Sequence, residues 1–240
     1  MQKIKKKNMK SNLILSIVID MLILILGRGI PFLQITPVLQ AENPEQAFEN
    51  VLPAALYIQA GERCGSGSIY GIIQDELIVA TAGHILSDSS EKLEITFFDG
   101  RQVKGRLVVI SEEADIGFIG IPLSELSIEE LVGLRHVRID DGAYENMTKN
   151  RRFFMIDMSD DSGGPICCRG AIVEKEMFLP DYGRSMMYGD AYVHPGMSGC
   201  GIFDEYGNFV GILSGGTEHN EIAAVPLTEI EEVYYKQFSE

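Results

Sequence analysis

The feature of this sequence that most constrains its fold is a series of short apolar runs separated by turn-forming residues. In KLEITFFDG the apolar side chains at 93, 95 and 97 alternate with polar ones, and Asp99-Gly100 then leads into RQVKGRLVVI. Alternation followed by an Asp-Gly pair predicts an antiparallel β-hairpin. Comparable runs predict about a dozen short strands, which is typical of an antiparallel sandwich or barrel. The other runs cover residues 68–73, 77–80, 116–121, 152–158, 171–178, 201–203, 209–213 and 222–226.

Two helices are predicted to interrupt this β pattern. Ser127 followed by Glu130 forms a capping box that opens IEELVGL midway along the chain, where a connection between two halves would lie. Thr228 with Glu231 opens a second helix, EIEEVYYKQF, near the end. The predicted fold class is therefore all-β, with a short linker helix and a C-terminal helix.

The N-terminus has the composition of an export signal. Residues 1–10 are basic, and residues 11–32 contain an apolar run of fourteen residues, Leu13–Leu26, interrupted only by Ser16 and Asp20. A helix of this length spans about 24 Å, which is short of the ~30 Å hydrocarbon core but suits a signal peptide or a marginal anchor. We favour a retained signal-anchor with residues 1–10 in the cytoplasm and an extracytoplasmic remainder, because no cleavage site is well specified. Secretion after cleavage and a buried helix of a cytosolic protein are the alternatives, and residues 33–50 are predicted to be a linker.

Charge disfavours a nucleic-acid partner. Residues 1–40 carry a net charge of +5, so residues 41–240 carry −20. A field of that sign repels a phosphate backbone.

The cysteines do not form a metal-binding pattern. Cys64, Cys167, Cys168 and Cys200 show no CxxC or Cys/His spacing, so neither a metal site nor a cofactor is expected. Outside the cytoplasm, four cysteines would permit two disulfides, whose connectivity the sequence leaves open.

The candidate catalytic residues emerge from a search for an activated serine. A serine hydroxyl becomes a good nucleophile when a histidine, held in one tautomer by a carboxylate, accepts its proton. His84 ends Thr81-Ala82-Gly83-His84 directly after the apolar run LIVA, which places it at a strand terminus. His136 and His219 lie in polar segments and are predicted to be surface residues. His194, four residues before Ser198, is predicted to be structural.

Four segments are informative when they are taken together: Gly65–Ile69 with the following LIVATAGHIL, then EADIGF at 113–118, PGMSGCGIF at 195–203, and Gly207 with VGILSGG at 210–216. In this order they resemble the trypsin-like serine peptidases, including their bacterial HtrA-like branch. The order His, Asp, Ser matches, with gaps of 31 and 83 residues, and the resemblance covers roughly residues 51–235. No PDZ-like region is expected after the protease domain.

The resemblance implies two antiparallel six-stranded β-barrels with the active site in the cleft between them. It places the first barrel at about 51–122, a linker at 123–150, the second barrel at about 151–227 and the terminal helix at 228–237. Together these form a protease domain over residues 51–235.

The resemblance also implies the role of each site residue. His84 would accept the proton of Ser198, and Asp115 would orient the histidine. The backbone amides of Gly196 and Ser198 would form the oxyanion hole, and the Ser214 hydroxyl would lie near Asp115. The implied activity is that of a serine endopeptidase acting on protein or peptide substrates.

Substrate-contacting residues follow from the same alignment. They are Tyr192 at the base of the specificity pocket, with Val193, Ser214, Gly215 and Gly216 along its walls. Because Tyr192 offers no carboxylate, we expect cleavage after uncharged, apolar residues. A shift of two residues would instead place Asp190 at the base and produce cleavage after Arg or Lys.

Alternatives and departures stay open at the level of sequence. Ser162 in DDSGGP matches the family signature by letters, but it follows Asp115 by only 47 residues, too few for the strands that should intervene. Met197 and Ile85 replace an aspartate and a half-cystine of the animal digestive members, so activation through a freed N-terminus is not expected. A catalytically inactive fold that binds peptides, and a structural surface protein, are the rival functions.

Overall fold

The computed structural model describes residues 35–87, 93–159 and 164–238. The predicted basic segment 1–10 and apolar segment 11–32 lie outside these residues. Within the three described ranges, no helix is both long enough and apolar enough to cross a membrane.

The segment before the first barrel, within the predicted linker over 33–50, contains regular secondary structure. Strand β1 (Thr36–Pro37) leads to helix α1 (Pro44–Val51). The Asn43 side chain caps α1 by accepting from the amides of Glu45 and Gln46. Apolar side chains of this segment are buried against the rest of the domain at intervals of a few residues, and this burial stabilises the segment in its place. The buried ones are Ile35, Val38, Ala41, Ala47 and Val51.

The first barrel consists of six antiparallel strands. They are β2 (Ala55–Ala60), β3 (Arg63–Ile73), β4 (Glu76–Ala82), β5 (Leu93–Phe97), β6 (Gln102–Ser111) and β7 (Ile116–Pro122). The strands close in the order β2-β3-β4-β7-β6-β5. The predicted hairpin is β5–β6, turning at Asp99-Gly100. A single helical turn, α2 (Gly83–Leu86), follows β4 directly.

The connection between the barrels contains short elements. Helix α3 (Ile128–Gly133) begins with the predicted capping box, in which Ser127 and Glu130 exchange side chain-to-backbone hydrogen bonds. Strand β8 (Arg135–His136) pairs in parallel with β1, and helix α4 (Asp141–Glu145) follows.

The second barrel repeats the pattern of the first. Its strands are β9 (Arg152–Asp157), β10 (Ile166–Leu179), β11 (Arg184–Ala191), β12 (Gly201–Asp204), β13 (Phe209–Gly216) and β14 (Glu221–Pro226). They close as β10-β11-β14-β13-β12-β9, which is the same cyclic order as in the first barrel. The prediction of an all-β protein with two six-stranded antiparallel barrels is confirmed.

The C-terminal helix joins the two barrels. Helix α5 (Leu227–Phe238) follows β14 directly, yet its aromatic side chains pack on the first barrel. The ring of Tyr234 lies 4.7 Å from that of Tyr70, and Phe238 contacts Phe118 edge-on at 5.9 Å between centroids. Aromatic pairs in these arrangements add to the stabilisation from burial. The helix therefore helps fix the orientation of the barrels whose junction holds the site.

Candidate active site

Pairing of β4 with β7 brings His84 to Asp115. The register places Ala82 opposite Ile116, so the residues just beyond these strand ends become neighbours. The Gly83 amide donates to the Asp115 carbonyl over 3.0 Å, and the His84 amide donates to Asp115 Oδ1 over 2.8 Å. His84 Nδ1 lies 3.0 Å from both carboxylate oxygens. The carboxylate therefore holds the imidazole by its Nδ1 side and leaves Nε2 directed away from it.

Asp115 adopts an uncommon backbone conformation. Its φ is +51°, in the left-handed region that aspartate tolerates better than most residues. Only 19% of its side chain is exposed. Burial by itself raises the pKa of the Asp115 carboxyl, but hydrogen bonds from His84 and Ser214 outweigh it, so the pKa lies below its ordinary value. The group is ionised at neutral pH and can stabilise an imidazolium.

A β-bulge directs Ser214 at Asp115. The register of β13 against β14 shifts between Leu213 and Gly215, which leaves Ser214 as the unpaired residue. Its hydroxyl donates to Asp115 Oδ2, and its carbonyl accepts from Ser198 Oγ at 3.4 Å. Ser214 thus connects Ser198 to the carboxylate that holds His84.

The turn that carries Ser198 is fixed against the first barrel. The amide of Ser66 donates to the Ser198 carbonyl over 2.8 Å, and the Ser66 hydroxyl donates to the Gly196 carbonyl over 3.1 Å. Gly199, at φ +87°, lies so close to Ser66 that a Cβ there would fall 2.1 Å from the Ser66 carbonyl oxygen. Only glycine fits this conformation and this approach.

The two predicted oxyanion amides are available to a ligand. Gly196 has φ +99°, and neither its amide nor that of Ser198 donates to any residue in the described ranges. The turn is held by other bonds, from the Met197 amide to the His194 carbonyl and from the Gly199 amide to Leu213.

The site is assembled without a direct Ser198–His84 hydrogen bond. Among the described residues, Ser198 Oγ is bonded to Ser214 instead, and His84 Nε2 has no protein partner. Catalytic hydrogen bonds are often long or misaligned before substrate binds. The structure therefore brings Ser198, Ser214, Asp115 and His84 into one connected group in which the serine hydroxyl bonds to the Ser214 carbonyl.

Three of the five residues predicted to contact substrate, Ser214, Gly215 and Gly216, lie at the end of β13. Val193 packs against Gly216, where a Cβ would come within 2.3 Å of Val193 Cγ2. Tyr192, expected at a pocket base, is 66% exposed and lies at the surface. A cavity of about 380 Å³ is lined by Gly215 and Gly216 and also by Tyr182 and the β10–β11 turn.

Asp190 does not line that cavity. It borders a different cavity, of about 390 Å³, together with Arg152, Phe153 and Arg169. Asp190 thus lines a cavity other than the one beside Gly216.

The remaining residues considered from the sequence are one serine and two histidines. Ser162, the rival nucleophile, lies outside the described residues. His219 is exposed, as predicted, but His136 is half-buried in β8 rather than at the surface, with Nδ1 2.9 Å from the Val137 carbonyl. Burial lowers the pKa of His136. The predicted surface position for His136 was wrong because β8 pairs with β1 and contacts β3.

All four cysteines are free thiols, so neither permitted disulfide forms. Cys64 is exposed on β3, whereas Cys200 is buried and directs its sulfur at the Ile156 carbonyl. Burial raises the pKa of Cys200, and it raises that of Cys168 to about 11. Within the described ranges, no group of three or more His, Cys, Asp or Glu is arranged to hold a metal ion.

Two positioning residues were not singled out from the sequence. Ser66 carries no signal beyond its place in GSGS. Arg184, the first residue of β11, donates to the Glu113 carbonyl over 2.8 Å and to the Glu229 carboxylate. It thereby ties the segment before Asp115 to the second barrel and to α5, and nothing in its local sequence indicates this.

Two antiparallel six-stranded barrels, with a histidine and an aspartate from one and a serine from the other meeting at their junction, define the trypsin-like class of peptidases. The family model described as Trypsin-like peptidase domain matches residues 65–212, more than half of the chain. This chain therefore belongs to the trypsin-like peptidase family.

Two relatives illustrate the range of similarity. The protein named Serine protease HtrA-like from Staphylococcus aureus (strain bovine RF122 / ET3-1) is 22% identical over 192 residues, which is 72% of this chain and 23% of the relative. The chain thus spans less than a quarter of that protein's length. The crystal structure of the serine endoprotease from Yersinia pestis superposes with a TM-score of 0.64 at 19% identity, covering 83% of this chain and 68% of the other. At that identity the likeness concerns the fold.

Proposed function

We propose that this chain is a serine endopeptidase, with Ser198 as nucleophile, His84 as general base and Asp115 as the residue that orients the histidine. No cofactor is required for this chemistry. Family membership supports peptidase activity in general, and the arrangement of these three residues supports the serine mechanism in particular.

The observation that carries the proposal is the position of His84 against Asp115. Since both carboxylate oxygens lie 3.0 Å from Nδ1 and can only accept, the ring proton resides on Nδ1. Nε2 is then the basic atom, and it is the one directed toward the cleft. This is the tautomer that a serine peptidase needs.

The reaction begins when the Ser198 hydroxyl leaves the Ser214 carbonyl and turns toward His84 Nε2. Oγ attacks the substrate carbonyl carbon while its proton passes to Nε2, and the substrate oxygen becomes an oxyanion. The amides of Gly196 and Ser198 would stabilise that charge, and each such donor is typically worth about 3 kcal/mol. The imidazolium then protonates the leaving amine, and water hydrolyses the acyl-enzyme by the same steps in reverse.

Substrates are proposed to be proteins or peptides that bind in an extended form beside Ser214–Gly216. The exposed Tyr192, the place of Asp190 at a different cavity and the apolar Val193 support a preference for an uncharged residue before the cut bond. The net charge of −20 over residues 41–240 supports the absence of a nucleic-acid partner.

The proposed location is extracytoplasmic, with residues 11–32 as a membrane anchor and residues 1–10 in the cytoplasm. The support is the apolar run behind a basic segment in the sequence. Release after cleavage of the signal remains the alternative.

One observation favours the rival function of a peptide-binding module without catalysis. The Ser198 hydroxyl is engaged by the Ser214 carbonyl and not by His84. The complete set of His84, Asp115 and Ser198 supports catalysis, and a kinetic comparison decides between the two.

The test is turnover of an unfolded protein by the full-length chain and four variants. Ser198→Ala, His84→Ala and their double variant should each lose activity by several powers of ten and to a similar extent, because the residues act as one unit. Ser162→Ala should keep wild-type activity. Additive losses in the double variant, or loss of activity in Ser162→Ala, would contradict the proposal.

A further inference from the structure

A second carboxylate–histidine pair lies behind the nucleophile turn. Asp157, the last residue of β9, is fully buried. Its Oδ1 accepts from the amide of Ser159 at 2.8 Å and from the Ser159 hydroxyl at 2.6 Å, and its Oδ2 lies 2.7 Å from His194 Nε2. A buried carboxylate is tolerated only with such partners.

The imidazole of His194 is placed between two acceptors. Its Nε2 faces Asp157, and its Nδ1 lies 2.9 Å from the carbonyl oxygen of Pro195. A carbonyl oxygen can only accept, and an ionised carboxylate can only accept. A neutral imidazole has one N–H, so beside an ionised carboxylate only one of the two contacts can be a hydrogen bond. Both contacts are hydrogen bonds only when the pair carries one additional proton, on either His194 or Asp157.

The Pro195 carbonyl belongs to the peptide that supplies a proposed oxyanion donor. In a trans peptide the C=O and the N–H point in opposite directions, and no cis peptide occurs in the described ranges. A carbonyl held by His194 therefore directs the Gly196 amide away from the ring. Ser159 also lies against Gly196, where a Cβ would fall 2.8 Å from the Ser159 Cβ and Oγ. The same carboxylate thus anchors both contacts to this peptide.

We propose that Asp157 and His194 form a protonation-dependent latch that holds the Gly196 amide in the oxyanion hole. The inference rests on the proposed serine mechanism and assigns two positioning residues to it. When the pair loses its extra proton, the remaining ring N–H stays on the charged carboxylate. The Nδ1 lone pair then faces the Pro195 oxygen, the peptide is released, and one oxyanion donor is lost.

The titratable groups around Asp157 and His194 bear on the charge of the pair. Among the described residues, Cys168 from β10 and Cys200 from the nucleophile turn interact electrostatically with Asp157, and the Tyr192 ring lies 6.2 Å from that of His194. Burial, with a smaller effect of Asp157, raises the pKa of both thiols, that of Cys168 to about 11. Both thiols are therefore neutral at physiological pH and add no charge beside the pair.

The test is the pH dependence of Ser198 modification by a fluorophosphonate, measured on the full-length chain. Since loss of one oxyanion donor costs about 10²- to 10³-fold in rate, we expect the wild-type rate to fall by at least about 10-fold on the alkaline side.

Asp157→Asn gives the sharpest variant. Its amide N–H donates to His194 Nε2 while its oxygen still accepts from Ser159, so a neutral His194 can use its single N–H on the Pro195 carbonyl. The alkaline fall should therefore disappear. His194→Gln cannot span both acceptors in this way and should reduce the rate by about 10- to 100-fold across the whole pH range.

His219→Gln, in an exposed loop, is the matched control and should keep the wild-type profile with its alkaline fall. An Asp157→Asn profile that falls like wild type, or a folded His194→Gln with wild-type rates, would overturn the latch while leaving the serine mechanism intact. If His194→Gln does not fold, the Asp157→Asn profile decides alone. Absence of Ser198 labelling in wild type at every pH would refute the proposed function and the latch with it.

Discussion

Replacing Gly199 by alanine tests how the nucleophile turn is fixed to the first barrel. At φ +87° an alanine costs about 1–2 kcal/mol relative to glycine. Its Cβ would also lie 2.1 Å from the Ser66 carbonyl oxygen and 2.3 Å from Thr81 Oγ1, so the turn must move. Overpacking of this kind costs about 1–3 kcal/mol. We expect Gly199→Ala to lower the free energy of unfolding by about 2–5 kcal/mol.

The displacement also predicts a functional effect. Moving the turn away from Ser66 breaks the bond from its amide to the Ser198 carbonyl, so the rate of fluorophosphonate labelling should fall together with stability.

Gly100→Ala separates the backbone effect from the contact. Gly100 has φ +85° in the β5–β6 turn, and a Cβ there would meet no atom within 4 Å. Denaturant unfolding should show a loss of only about 1–2 kcal/mol for this variant, with an unchanged labelling rate. Equal losses for the Gly199 and Gly100 variants would refute the argument that close packing against Ser66 positions the turn.

Three further predictions concern charges around the site. Asp115→Asn, which suits the left-handed backbone equally well, should lower the free energy of unfolding at neutral pH. Because the pKa of Asp115 lies below its ordinary value, the stabilisation is present above the unfolded-state pKa of about 4 and is lost as the pH falls through the folded-state pKa, so urea titrations of the two proteins should converge in acid. Arg184→Met should destabilise the fold by about 1–3 kcal/mol, since it leaves the Glu113 carbonyl and the partly buried Glu229 without their donor, and should slow labelling. Profiling with a peptide library should show cleavage after uncharged residues, with no change in Asp190→Asn.

Each of these has a contradicting result. A stability difference for Asp115→Asn that widens in acid would mean that the carboxyl is not stabilised in its ionised form. An Arg184→Met protein with wild-type stability and labelling would show that the link between Glu113 and Glu229 is dispensable. Dominant cleavage after Arg or Lys that is abolished in Asp190→Asn would show that Asp190 reaches the pocket.

Much of the β architecture was predictable from local pattern. The β5–β6 hairpin was evident because alternation and an Asp-Gly turn agree, and the α3 capping box is a local interaction. Strand β2 (ALYIQA) was missed because it follows α1 without a turn signal, and β11 (RSMMYGDA) because it lacks β-branched residues. The docking of residues 35–50 depends on a distant surface that local sequence does not reveal.

The contacts within the site also differ in whether the sequence could predict them. His84 and Asp115 could be identified from their motifs, and their contact follows once β4 and β7 pair. The Ser214 side chain reaches Asp115 because of a one-residue bulge, which no residue type in the sequence indicates. The contact of Asp157 with His194 joins positions 37 apart in sequence through the closure of the second barrel, so it could be found only in three dimensions.

The most direct test of the serine mechanism is to identify the residue that a fluorophosphonate modifies in the full-length chain. Peptide mass spectrometry should locate a single adduct on Ser198, and His84→Ala should show almost none under the same conditions, because only a serine activated by a base reacts at an appreciable rate. An adduct on Ser162, or equal labelling of Ser198 in the His84→Ala protein, would contradict the assignment of Ser198, His84 and Asp115 as the catalytic residues.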